Sequence, residues 1–245
     1  MRILMTGCSS GTGNYVASSL EQQGHEVYKV GLGGPNLKID FTKVENPYLT
    51  AEYIFYTAEK HFLGKKVEVL INNAGLTKSD YIEDMDQLDY NKVMMINLTM
   101  PYFLTRELSK RVVKEDTPDL RKAIFVSTMG VKMGLRAQSP YVISKAAVEA
   151  LTRSLAKEFA GRLPIATYCI APSGIADTQM EKDMLNALID TRGMSQEEAK
   201  TYLVQSPTGR WSTHKEVWDF FDLAVNKLTI QSSGTILSMT AGMGL

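Results

Sequence analysis

The chain has 245 residues, of which 44% are hydrophobic, and its 27 Lys plus Arg are balanced by 27 Asp plus Glu. That length and apolar content support a large packed domain and exclude a disordered segment or a stapled mini-protein. A formal charge of zero gives no electrostatic reason to bind nucleic acid or anionic lipid.

The first apolar run, residues 2–6, has the length and composition of a buried strand, and a glycine-rich turn and a helical pattern over 13–23 follow it. Strand-like runs recur at 26–30 and 37–39, before a helical stretch at 51–62. A strand at 67–71, a long helix at 87–114, a strand at 123–128 and a helix at 141–159 come next. After a strand at 165–170, the segment 178–211 is rich in Met, Gln and Glu. It has short helical patterns at 180–188 and 196–204 and no strand, as a substrate lid would. A helix at 213–227 and a strand at 235–239 close the chain. Glycine and proline clusters at 31–35 and 116–119 read as turns, and no repeat or inter-domain linker interrupts the series. Strand and helix in alternation predict a single-domain, doubly wound, mostly parallel seven-stranded sheet with helices on both faces.

Two cysteines, Cys8 and Cys169, cannot build a disulfide framework, which points to a reduced, cytoplasmic setting. His25, His61 and His214 are scattered without partners at ligand spacing, so no metal site is expected. The N-terminal apolar run is too short for a signal peptide, and nowhere do about eighteen apolar residues run together to span a membrane.

The chemistry begins at Thr6-Gly7-Cys8-Ser9-Ser10-Gly11-Thr12-Gly13. Glycines at 7, 11 and 13 let the backbone approach a pyrophosphate, and the helix that follows aims its amides at it. Tyr141 and Lys145, four residues apart on a helix, share one face. An ammonium beside a phenol is expected to draw the tyrosine pKa down from about 10 towards working pH.

The G-x-x-x-G-x-G spacing resembles the short-chain dehydrogenase/reductase family, and four further marks follow in order. They are Asn72-Asn73-Ala74-Gly75, Asn97, the Y-x-x-x-K of Tyr141 and Lys145, and Ala171-Pro172-Ser173-Gly174 with Thr178. The resemblance spans the chain from the first strand to Gly242. It implies hydride transfer between a nicotinamide cofactor and a small carbonyl or secondary alcohol, in a homodimer or homotetramer. Tyr141 would be the acid/base, Lys145 its tuner and ribose clamp, and Asn97 the support of a proton-relay water. Gly7, Ser9, Ser10, Gly11, Thr12, Gly13, Asn73, Ala74, Gly75, Tyr141, Lys145, Pro172, Gly174, Ile175 and Thr178 would hold the cofactor, and Asp40 would contact its adenine unless it only closes a turn. The oxygen-positioning hydroxyl falls on Thr128 by the commonest spacing, with Ser127 the alternative; strand alternation lets only one face the site.

The second strand ends Val30-Gly31-Leu32 with no carboxylate to meet a ribose 2′-hydroxyl, which favours NADP(H) over NAD(H). No arginine takes its place: Ser10 stands where a basic residue is common, and Lys38 is the cation that would have to reach instead. The short connection to Asp40 leaves no room for a full helix, and Ser173 stands where the family prefers glycine. A binding protein that keeps the fold without turnover, as a redox sensor, or a sugar-nucleotide epimerase or dehydratase, are the alternative readings.

Overall fold

The computed structural model describes residues 1–115, 118–204 and 206–243; Asp116 and Thr117 of one expected turn and Gln205 of the expected lid lie outside them. Seven strands form one sheet: β1 (Arg2–Thr6), β2 (Glu26–Gly31), β3 (Leu37–Lys38), β4 (Val69–Asn72), β5 (Arg121–Val126), β6 (Ile165–Ala171) and β7 (Thr235–Ser238). Their order is β3-β2-β1-β4-β5-β6-β7, and every pairing is parallel. The chain winds outward from β1 in one direction to β3, then returns to lay β4 on the other side of β1. That reversal opens a crevice at the carboxyl ends of β1 and β4.

Helices α1 (Gly11–Gln22), α2 (Pro47–His61), α3 (Gln87–Met94), α4 (Met100–Val113), α5 (Gly130–Met133), α6 (Ser139–Phe159), α7 (Gln179–Arg192), α8 (Gln196–Leu203) and α9 (His214–Asp222) surround the sheet. Two apolar cores result, one on each face. Ile54 and Phe55 of α2, Leu104 and Leu108 of α4, and Val148 of α6 pack with Leu4, Leu70 and Phe125 on one side. Val16 and Leu20 of α1 and Val217 and Phe221 of α9 pack with Ile3, Met5 and Ile71 on the other. Strands buried on both faces explain why their sequences are almost continuously apolar.

Two departures from the expected boundaries bear on the site. β5 begins at Arg121 and stops at Val126, so Ser127 and Thr128 lie just beyond the strand, where the backbone turns towards α5. β2 joins β3 through a turn with no helix, and β3 keeps only two residues, so this edge of the sheet is abbreviated as the short connection implied.

The expected helix at 87–114 is continuous but not uniform. A π-type turn, Met95–Thr99, separates α3 from α4 and carries Asn97 at its centre. Such a turn holds one residue more than the regular spiral and is common at functional sites.

A buried cation is held here by backbone carbonyls. Lys122 of β5 donates to the carbonyls of Ala224, Val225 and Leu228 at 3.1, 2.7 and 2.8 Å. Its ammonium satisfies carbonyls left over where the π-type turn Leu223–Lys227, which continues α9, ends.

Candidate active site

A cavity of about 970 Å³ opens at the carboxyl ends of the strands, walled by the glycine-rich turn, the loops after β4 to β6, and α7. Gly7 has φ of +73°, a conformation glycine adopts without a Cβ penalty. A Cβ on Gly7 would lie 2.7 Å from the Ala74 backbone, and one on Gly13 would lie 1.9 Å from the Gly7 carbonyl oxygen. The cradle therefore requires both glycines. Asn73 Nδ2 donates to the Gly7 carbonyl at 2.8 Å and Ala74 N donates to Thr6 Oγ1 at 3.1 Å, which ties the two loops into one floor. Ser10 precedes α1 without a side-chain cap, so the first-turn amides of that helix are left to bind an anion. Ser9 Oγ accepts from Gly33 N at 3.0 Å, and Thr12 Oγ1 is 3.0 Å from His214 Nδ1, a bond to α9 that the sequence did not suggest.

Tyr141 and Lys145 lie on one face of α6 as their spacing requires, with Lys145 Nζ 5.7 Å from the centre of the Tyr141 ring. Both are buried, at 7% and 4% exposure. The expected fall in the tyrosine pKa is not found. Burial pushes the Tyr141 phenol up to about 12, opposed by a hydrogen bond with Thr128. Burial also pushes Lys145 down to about 8. The lysine donates to the Val126 carbonyl at 2.8 Å, and desolvation sets the direction of both shifts.

Thr128 and Ser127 diverge. Thr128 shares its hydroxyl with Tyr141 and accepts from Gly130 N at 3.2 Å. Ser127 turns the other way and donates to Glu149 Oε1 at 2.9 Å, deep under α6. Asn97 is fully engaged: Oδ1 accepts from Leu76 N at 2.8 Å, and Nδ2 donates to Leu76 O and Ser144 Oγ, each at 2.9 Å. It pins the loop after Gly75 to the π-type turn and to α6.

Pro172, Ser173, Gly174, Ile175 and Thr178 form the wall after β6. Ser173 Oγ sits 2.8 Å from Ser212 Oγ, and a Cβ on Gly174 would lie 2.8 Å from the Trp211 ring. Thr178 caps α7 by accepting from Glu181 N at 3.0 Å, and its methyl lies 3.8 Å from the Cβ position of Gly11. Segment 178–211 thus folds back against the glycine-rich turn, with Met180, Met184 and Leu188 lining the cavity.

At the adenine end Asp40 lines the cavity while its Oδ1 accepts from Thr42 N and Thr42 Oγ1 at 3.0 and 2.6 Å. It is a turn residue that also faces the cleft. Gly31 and Leu32 border this end, and Lys38 is exposed outside the lining. Sequence reasoning also missed Gln138, which lines the cavity three residues before Tyr141. An isolated glutamine carries no motif, and only the fold brings it to the cleft.

A family model described as short chain dehydrogenase matches residues 1–188. The 3-oxoacyl-(acyl-carrier-protein) reductase of Aquifex aeolicus is 27% identical over 98% of this chain and 96% of its own. Among solved structures, sorbitol-6-phosphate 2-dehydrogenase of Erwinia amylovora superposes with a TM-score of 0.84 at 20% identity, covering 98% of each chain. A variant of actinorhodin polyketide ketoreductase with NADPH gives 0.83 at 21% identity, over 99% of this chain and 97% of the other.

Proposed function

The chain belongs to the short-chain dehydrogenase family, and on that premise we propose how its own residues carry the reaction. It is an NAD(P)-dependent oxidoreductase that acts on carbonyl or alcohol groups. The observation supporting the assignment of roles is the convergence of Tyr141, Thr128 and Lys145 at one end of a cleft whose other end is a Cβ-intolerant glycine cradle.

The cradle and the uncapped start of α1 suit the pyrophosphate of a dinucleotide, held by Gly7, Ser9, Ser10, Gly11, Thr12 and Gly13. Asn73, Ala74 and Gly75 flank it, and Pro172, Gly174, Ile175 and Thr178 face its nicotinamide half. When bound, the nicotinamide supplies or accepts the hydride. Tyr141, whose buried phenol is protonated at neutral pH, donates a proton to a carbonyl oxygen in reduction and takes it back in oxidation. Thr128 holds that oxygen through its hydroxyl. Lys145, anchored on the Val126 carbonyl, clamps the ribose hydroxyls and favours phenolate when Tyr141 gives up its proton. Asn97 fixes the widened turn that supports a relay water. Segment 178–211 closes over substrate as a lid on one domain.

The absence of a carboxylate beside Gly31 and Leu32 supports NADP(H) over NAD(H), and Asp40 is left to meet the adenine. Titrating both reduced cofactors by nicotinamide fluorescence tests this preference; tighter NADH binding would overturn it. The overall reading is tested by following nicotinamide absorbance with a panel of small carbonyls and alcohols and both cofactors. We expect turnover that depends on Tyr141.

The outer faces of α4 and α6 expose Tyr102 and Ile143 by 47% and 51%, which supports assembly into a homodimer or homotetramer through these helices. A monomeric mass in solution would reject it. Among the described residues no helix is long and apolar enough to cross a membrane. The free, buried Cys8 and Cys169 support a cytoplasmic setting.

A further inference from the structure

Gln138 occupies the N-cap position of α6, where a short polar side chain ordinarily accepts from the helix's first amides. Here the side chain makes no such cap. It turns instead across the cleft, and Nε2 donates to Ser79 Oγ at 3.1 Å, joining the loop after β4 to the start of the catalytic helix. The residue before it, Ala137, has φ of +59°, an uncommon conformation for a residue with a Cβ. Strain of this kind persists where the surroundings enforce it and is frequent at functional sites. Gln138 is only 6% exposed, yet it lines the cavity, and no described residue donates to its Oε1. Half of a buried amide is satisfied by Ser79 and half is turned to the space where substrate sits. That oxygen is not sealed from solvent, so water meets it in the open cleft and a ligand hydroxyl can take the water's place.

Its position sets the chemistry of that group. Gln138 stands at the N-cap of α6 and Tyr141 in its first turn, and both line the same cavity. A substrate oxygen held at Tyr141 therefore leaves its adjacent carbon within reach of the amide. We propose that Gln138 is a specificity residue that hydrogen-bonds a hydroxyl on the carbon next to the reacting one, so that the substrate class is the vicinal diol and its α-hydroxycarbonyl partner. The inference rests on the oxidoreductase reading above. A hydroxyl both donates and accepts, so it satisfies the amide in either orientation about its terminal bond. Sites built around such a bond reject the analogue that lacks the hydroxyl far more strongly than apolar pockets discriminate by size.

The test compares 2,3-butanediol with 2-butanol as probes in the purified protein with NADP⁺ and NAD⁺. Wild type should favour the diol by at least roughly 30-fold in kcat/KM. In Gln138→Leu the ratio should collapse to within about threefold, the loss falling on the diol. Gln138→Glu, which reverses the Ser79 bond by accepting from its hydroxyl and still accepts from a substrate hydroxyl, should keep most of the preference and shows whether the position tolerates change. A wild-type ratio near one overturns the proposal, as does an unchanged ratio in Gln138→Leu or an equal loss on both probes in both variants. Turnover of neither probe also overturns the substrate class. Nicotinamide fluorescence, read separately, then reports whether cofactor binding and the wider reading survive.

Discussion

Ser127 Oγ donates to Glu149 Oε1 across 2.9 Å, so the hydroxyl adjacent to the cleft is consumed in holding β5 to α6. The bond leaves Thr128 as the hydroxyl of the pair that meets Tyr141. Thr128→Ala should lower kcat by about 10- to 100-fold while leaving the fold intact, and Thr128→Ser should recover most of it. Ser127→Ala should instead cost about 1–3 kcal/mol of stability, because it strands a buried carboxylate. Denaturant unfolding and steady-state kinetics on the three variants separate the roles; a larger kcat loss in Ser127→Ala would reverse the assignment.

Tyr141→Phe removes the phenolic hydroxyl that meets Thr128 while keeping the ring over which Lys145 sits. Turnover should fall by about 10²- to 10⁴-fold, with cofactor affinity changed by no more than about threefold. Equal losses in both would mean that the ring holds the cofactor and moves no proton.

Lys145 titrates near 8 in the folded, cofactor-free protein and near 10.4 when unfolded. Between those values the folded state binds fewer protons, so this group makes the fold more stable as pH rises from about 8 to about 10.4. Unfolding wild type and Lys145→Met in urea at pH 7.5 and 9.5 should show wild type gaining on the variant. Parallel behaviour of the two proteins would mean that the lysine is not desolvated.

Gly13→Ala would put a methyl carbon 1.9 Å from the Gly7 carbonyl oxygen, a clash that only displacement of the turn relieves. Nicotinamide affinity should fall more than tenfold, and thermal stability should drop with it. Gly174→Ala meets the Trp211 ring at 2.8 Å and should shift the lid, raising KM more than it lowers the melting temperature. Fluorescence titration and thermal melts distinguish the two sites.

Local signals were the legible ones. Gly7, Gly11 and Gly13 follow a strand and open a helix within a dozen residues, and Tyr141 and Lys145 share a helix, so their juxtaposition needs no tertiary knowledge. The choice between Thr128 and Ser127 was not legible, because it depends on where β5 stops and on a carboxylate 22 residues away. The direction of the Tyr141 pKa was misread for a related reason. Spacing reports that an ammonium is near, whereas burial, set by the whole cleft, decides which effect wins. Gln138 and the His214 bond to Thr12 were invisible, since each joins elements distant in sequence through side chains of ordinary type.

The widened turn at Met95–Thr99 is also separable from what lies downstream of it. Such a turn absorbs its extra residue locally, so excising one amino acid here would close it to a regular turn and leave the rods on either side in nearly the same phase. Leu104 and Leu108 would go on facing the sheet, while the Asn97 amide would lose the backbone seat from which it grips Leu76. The bulge thus uncouples the placement of one amide from the seating of the layer behind it. A single-residue deletion in this stretch is expected to keep the fold and release the loop after Gly75.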